Sequence, residues 1–122
     1  CSGIDVLTTF MAESVISLGD RIPTIPFALP GSESQLETII SAMPYYDAMV
    51  LGSHGVITVG ADLEQAFLRM ELVEHLARVQ HLAMAVGGPK MLSDHQIQTL
   101  MRKRTGAGLG PEGRGVQGRP PL

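Results

Sequence analysis

The segment from Ala48 to Val59 constrains this chain more than any other. Ala48-Met49-Val50-Leu51 is a short, unbroken apolar run, Gly52-Ser53-His54-Gly55 turns the chain, and Val56-Ile57-Thr58-Val59 follows. An apolar run this short, bounded by turn residues, reads as a central strand covered on both faces, with the second run as its partner. The rest of the chain has to supply that cover.

It does so with helices that share one starting pattern. Ser32-x-x-Gln35, Asp62-x-x-Gln65 and Ser93-x-x-Gln96 each fit a capping box, in which an oxygen side chain and a Gln satisfy exposed backbone donors at a helix start. The last also has Leu92 and Ile97 placed for a hydrophobic staple. These caps predict helices over Glu33 to Met43, with Leu36, Ile39, Ile40 and Met43 inward, over Leu63 to about Val86, and over Asp94 to Lys103. Gly87-Gly88-Pro89 stops the long helix. Its apolar residues form two stripes, Leu63, Ala66, Phe67, Met70, Val73, Ala77 and Leu68, Leu72, Leu76, Val79, Ala83, which implies cover on more than one side. Apolar spacing over 6–18 predicts a further amphipathic helix ending near Gly19. Pro23 and Pro26 then forbid a helix over Ile22–Phe27 and allow a short or edge strand.

Composition limits what the core can be made of. With 4% aromatics and no Trp, aliphatic residues and seven Met must fill it. Cys1 is the single cysteine, so no internal disulfide or Cys-based zinc motif is available, and a catalytic role at the chain end is disfavoured. No apolar run approaches a membrane span and no signal peptide is visible, so the expected location is cytoplasmic with no membrane partner. The net charge of −3 hides a split. Residues 1–101 carry four basic and eleven acidic side chains; residues 102–122 carry five basic ones (Arg102, Lys103, Arg104, Arg114, Arg119) against Glu112. The acidic body excludes nucleic acid as a partner, and the tail has no aromatics for base stacking. Residues 105–122 are rich in Gly and Pro and are expected to be a flexible tail, either solvated or folded over an anionic ligand or a neighbouring subunit.

Of the four histidines, His54 is the candidate for chemistry. It lies in the turn between two strands beside Gly52 and Gly55, where an imidazole serves as metal ligand or proton shuttle. The alternative is a turn histidine satisfied by backbone hydrogen bonds. One histidine is not a metal site, because zinc takes three or four protein ligands. His75 and His81 are six apart and do not share a helix face, while Glu71–His75 and Glu74–Arg78 are spaced for surface pairs. His95 falls in the first turn of its helix.

Ile22-Pro23-Thr24-Ile25-Pro26-Phe27, Pro30-Gly31-Ser32, Ala48-Met49-Val50-Leu51, Ser53-His54-Gly55, Val59-Gly60-Ala61-Asp62-Leu63-Glu64, Ala66-Phe67 and Glu71-Leu72-Val73-Glu74-His75-Leu76-Ala77 together resemble the second half of the class II aldolase/adducin family. The resemblance covers about residues 1–104. It implies an α/β fold, a three-layer α/β/α domain with a mostly antiparallel central sheet, of which this chain is the C-terminal portion. It also implies a lyase acting on a sugar phosphate or related hydroxy-keto acid through a metal-stabilised enediolate, as an aldolase, epimerase or decarboxylase. The family binds a divalent metal, most commonly Zn²⁺, through three histidines. His54 matches the third, the other two form an H-x-H pair expected upstream of Cys1, and the catalytic acid/base is expected upstream as well. Ser53 stands where Asn is frequent in the family. A tyrosine that some members contribute from a neighbouring subunit aligns near Ala12, so Tyr45 and Tyr46 do not inherit its role. The family forms homotetramers with sites at subunit boundaries. In its adducin branch the same fold serves as a non-catalytic interaction module, which is the alternative reading alongside an inactive truncated fragment.

Overall fold

β2 (Ala48–Leu51) is the middle strand of a three-stranded sheet, with β1 (Thr24–Ile25) on one side and β3 (Gly55–Thr58) on the other. The computed structural model describes residues 3–122; Cys1 lies outside the described residues. Helices α1 (Ala12–Leu18), α2 (Glu33–Ala42), α3 (Leu63–Met84), α4 (Asp94–Gly106) and α5 (Gly110–Gly113) complete the chain. β2 and β3 pair antiparallel, with Met49 opposite Ile57 and Val50 opposite Val56. β1 and β2 run parallel, because α2 intervenes and carries the chain back to the starting edge. The described sheet is therefore mixed, with one antiparallel and one parallel pair, rather than mostly antiparallel. Pro23 and Pro26 flank β1, which contributes through carbonyls: Pro23 O accepts from Val50 N and Ile25 O from Gly52 N, both at 2.9 Å.

Alternation along β2 divides the core. Ala48 joins Leu18, Ile22, Val73 and Leu76, with Val50, Val56, Phe10 and Leu72 packed against them. Met49 and Leu51 join Ile25, Ala42 and Tyr46, with Ile39 and Ile57 against them. Successive side chains of a strand point to opposite faces, so each set is one face of the sheet. α1 and α3 cover the first and α2 the second.

All three capped helices start where the sequence places them. Ser32 Oγ accepts from Gln35 N, Asp62 Oδ1 from Gln65 N and Ser93 Oγ from Gln96 N. The reciprocal bond forms at Ser93; at Asp62 the Gln65 side chain reaches one residue further and takes Ala61 N.

Three differences from the sequence reading have physical causes. The helix expected over 6–18 is confined to Ala12–Leu18. Residues before it are held by α3: Gln80 accepts from Leu7 N at 2.8 Å and donates to Asp5 O at 2.9 Å. Those tertiary bonds outweigh local helix propensity. On α2 the row that packs inward is Gln35, Ile39 and Ala42, whereas Leu36, Ile40 and Met43, expected inward, are exposed. On α3 the buried line is Arg69, Val73, Leu76 and Gln80, so each expected stripe is only partly covered, and Leu63, Phe67 and Leu68 face outward.

Gly52 sits where β2 passes closest to the end of β1. A Cβ there would lie 3.1 Å from Phe27 N and 3.2 Å from Ile25 O, both backbone atoms. A Cβ at Gly55 would meet nothing within 4 Å. Gly52→Ala is therefore expected to cost about 1–3 kcal/mol by forcing the strands apart, whereas Gly55→Ala changes stability by less than about 1 kcal/mol. Urea-unfolding midpoints of the two variants check the contrast; equal losses would contradict it.

Candidate functional site

The turn at the tip of the β2–β3 hairpin is set by one residue in an unusual conformation. His54 N donates to Leu51 O at 3.0 Å, which closes a four-residue turn. Ser53 has φ 54°, in the left-handed region. That region costs an L-residue roughly 1–2 kcal/mol and suits Gly or Asn better than Ser. The reversal leaves His54 exposed, and no hydrogen bond or ion pair among the described residues engages its imidazole.

No group of three His, Cys, Asp or Glu that could hold a metal occurs among the described residues. His75 and His81 lie on exposed positions of α3 and His95 on an exposed position of α4. The described residues do not form a metal site by themselves. Tyr46 is turned inward and donates to Leu122 O at 2.5 Å, while Tyr45 donates to Gln117 O at 3.2 Å. Ala12, where the resemblance puts a tyrosine, is the first residue of α1.

At the other end of the same hairpin lies a charge centre that the sequence did not single out. Asp47 precedes β2 and is completely buried. Its Oδ1 accepts from Arg114 at 2.8 Å and forms an ion pair with Arg69 at 3.2 Å, and its Oδ2 is paired with Arg104. These three ion pairs are the complete set among the described residues. Each guanidinium also ties a separate piece of backbone to the centre. Arg69 donates to Val59 O at 2.6 Å, Arg104 to Ile16 O and Ser17 O at 2.7 and 2.8 Å, and Arg114 to Pro44 O at 3.0 Å. Arg104 thus caps the last carbonyls of α1, where positive charge is favoured. Burial holds the Arg69 guanidinium below its ordinary pKa, Asp47 offsets part of that, and the neighbouring Arg104 and Arg114 add to the lowering.

Arg104 and Arg114 belong to the stretch that the charge split marks as basic. Residues 105–122, expected to be loose, here extend α4 to Gly106, form the short α5 and return to Tyr45, Tyr46 and Arg21. Gly110 lets α5 close over the centre: a Cβ there would lie 2.7 Å from Arg104 Nε. The sequence signal for the pairing is the acidic body against the basic tail. What it lacks is Asp47 as the partner, since a lone Asp ahead of an apolar run carries no spacing pattern.

The chain matches the family model described as "Class II Aldolase and Adducin N-terminal domain" over residues 1–81. It is 33% identical over 92 residues to an L-fuculose phosphate aldolase of Escherichia coli O6:H1, covering 75% of this chain and 43% of that protein. It is 23% identical over 111 residues to a 5-deoxy-D-ribulose 1-phosphate aldolase of Bacillus thuringiensis, covering 80% and 52%. The fold superposes on a solved L-fuculose 1-phosphate aldolase with TM-score 0.70 and 25% identity, over 80% of this chain and 45% of that one. The chain spans about half the length of the relatives it matches.

Removing the Asp47 carboxylate would leave two buried guanidiniums without a counter-charge. Asp47→Asn is expected to destabilise the fold by about 3–5 kcal/mol, the range for breaking a buried pair from one side. Chemical denaturation measures it; a loss below about 1 kcal/mol would show that the centre is dispensable.

Proposed function

Because the chain belongs to the class II aldolase and adducin family, we propose that the intact protein is a class II aldolase-type lyase that cleaves or rearranges a sugar phosphate or related hydroxy-keto acid. What supports this is the match over residues 1–81 together with His54, an exposed imidazole on a constrained turn with no partner in the described chain. A side chain held out in this way is available as a ligand. His54 is the one donor that this stretch contributes to a divalent metal, here taken as Zn²⁺. Two further histidines, as an H-x-H pair, and the acid/base would come from outside residues 1–122. When bound, such a metal would polarise a substrate carbonyl oxygen as a Lewis acid.

The chain's own part in that chemistry is positional. Hydrogen bonding to Pro23 O and Ile25 O fixes β2, the Leu51–His54 turn fixes the backbone at the tip, and the imidazole then projects from the end of the hairpin. The whole domain is read as a three-layer α/β/α unit assembled as a homotetramer. The exposed rows Leu36, Ile40, Met43 and Leu63, Phe67 supply apolar surface for the missing layers and neighbours.

Two measurements on the intact protein test the proposal. His54→Ala is expected to lower bound metal well below stoichiometric and to reduce retro-aldol turnover of a ketose 1-phosphate by at least about 100-fold, with the melting temperature little changed. Unchanged metal content and turnover in His54→Ala would overturn the assignment. Wild-type protein without stoichiometric metal or turnover would favour the adducin-like interaction module instead.

A further inference from the structure

We propose that the cleft beside Asp47 binds a phosphate group, held by Arg69 and Arg114. The cleft has a volume of about 430 Å³ and is bordered by Gln65, Arg69, Leu109 and Arg114, with Asp47 its sole acidic residue. The inference rests on this charge centre and not on the role of His54, which lies at the far end of the hairpin, about 13 Å away along four strand residues.

Charge bookkeeping carries it. Three guanidiniums converge on one carboxylate, and their other acceptors, Val59 O, Ile16 O, Ser17 O and Pro44 O, are carbonyls with no net charge. The centre keeps a surplus of two positive charges. Arg69 and Arg104 have side chains 6% and 3% exposed, so this surplus is held where water screens it poorly. Asp20 and Glu112 border clefts on the Arg104 side but pair with none of the three guanidiniums. A buried positive surplus beside an open cleft is relieved by an anion. Arginine forks match the tetrahedral oxygens of phosphate, and a phosphate dianion balances the surplus.

The cleft is also shaped for a polar guest. Arg114 is 34% exposed, so it reaches both Asp47 and solvent. Gln65 Oε1 is occupied by Ala61 N at 2.8 Å, which orients its amide NH₂ as a donor. Both free phosphate and the phosphate end of an ester present this chemistry.

Calorimetric titration of the protein with inorganic phosphate and with glycerol 1-phosphate, at ionic strength held constant with chloride, tests the site. Saturable binding of at least one of them is expected, and the tighter one identifies the source. Arg114→Gln should weaken it at least tenfold, while Arg119→Gln, outside the centre, should leave it unchanged. If Arg114→Gln fails to melt cooperatively, Arg114→Lys is read in its place and should weaken binding several-fold. Absence of saturable binding to both probes would overturn the proposal. So would an Arg114 variant that binds as wild type does, or an equal loss in Arg119→Gln.

Discussion

A single carboxylate with no solvent exposure organises the chain beyond its sheet. Asp47 gathers guanidiniums from α3, α4 and the segment after α5, and through them fixes the end of α1, the end of β3 and the turn at Pro44. The apolar clusters hold α1, α2 and α3 to a sheet face, but apart from Leu122 they do not bring the chain after α3 back to the sheet. The Asp47 centre does. Such a centre is tolerable only because every partner is present at once: desolvating a charge costs several kcal/mol, which mutual attraction and hydrogen bonds must return. The centre is therefore less a source of net stability than a condition on which arrangement of α1, α4 and α5 can exist.

The sheet puts two different chemistries at the two ends of one hairpin. Asp47 and Val59 mark the end where charge is buried and bound to arginines. Ser53 and His54 mark the end where a strained turn holds an imidazole outward. Between them run four residue pairs of antiparallel ladder, fixed in register by burial on both faces. A one-residue slip would exchange Met49 and Val50 between core faces, so the placement of His54 follows from core packing and not from the turn alone.

Features written in local pattern were legible in the sequence. The strands of the hairpin, the three Ser/Asp–Gln helix starts and the stop near Gly87 follow from periodicity and capping; the helix starts and β2 appear where expected, while β3 is shifted one residue to Gly55–Thr58 and α3 ends at Met84. The family was legible as well, through motifs spread over most of the chain. What was not legible depends on partners far apart in sequence. Gln80, placed on α3 by helical spacing, holds residues 5–7 out of the helix their apolar spacing suggests. On α2, Leu36 and Ile40 carry the stronger hydrophobic signal, yet Gln35 and Ala42 are the buried residues, and Ala42 packs with Met49 and Leu51. Asp47 was invisible because its three partners lie 22, 57 and 67 residues away. Among the histidines, the turn between two strands singles out His54 and the family motif agrees, while its geometry alone shows an available side chain.

Those separations also bear on the order in which the molecule can be completed. When the chain emerges from the ribosome at about 5–20 residues per second, Asp47 precedes Arg104 by several seconds. For that interval β1, β2, β3 and α3 can assemble with Arg69 as the only available counter-ion, and the carboxylate must stay hydrated. Water can leave it only after α4 has been made and α5 has folded over. The stretch from Arg104 to Arg114 thus acts as an internal template-closing step, arriving late and completing the ion pairs of a half-paired intermediate.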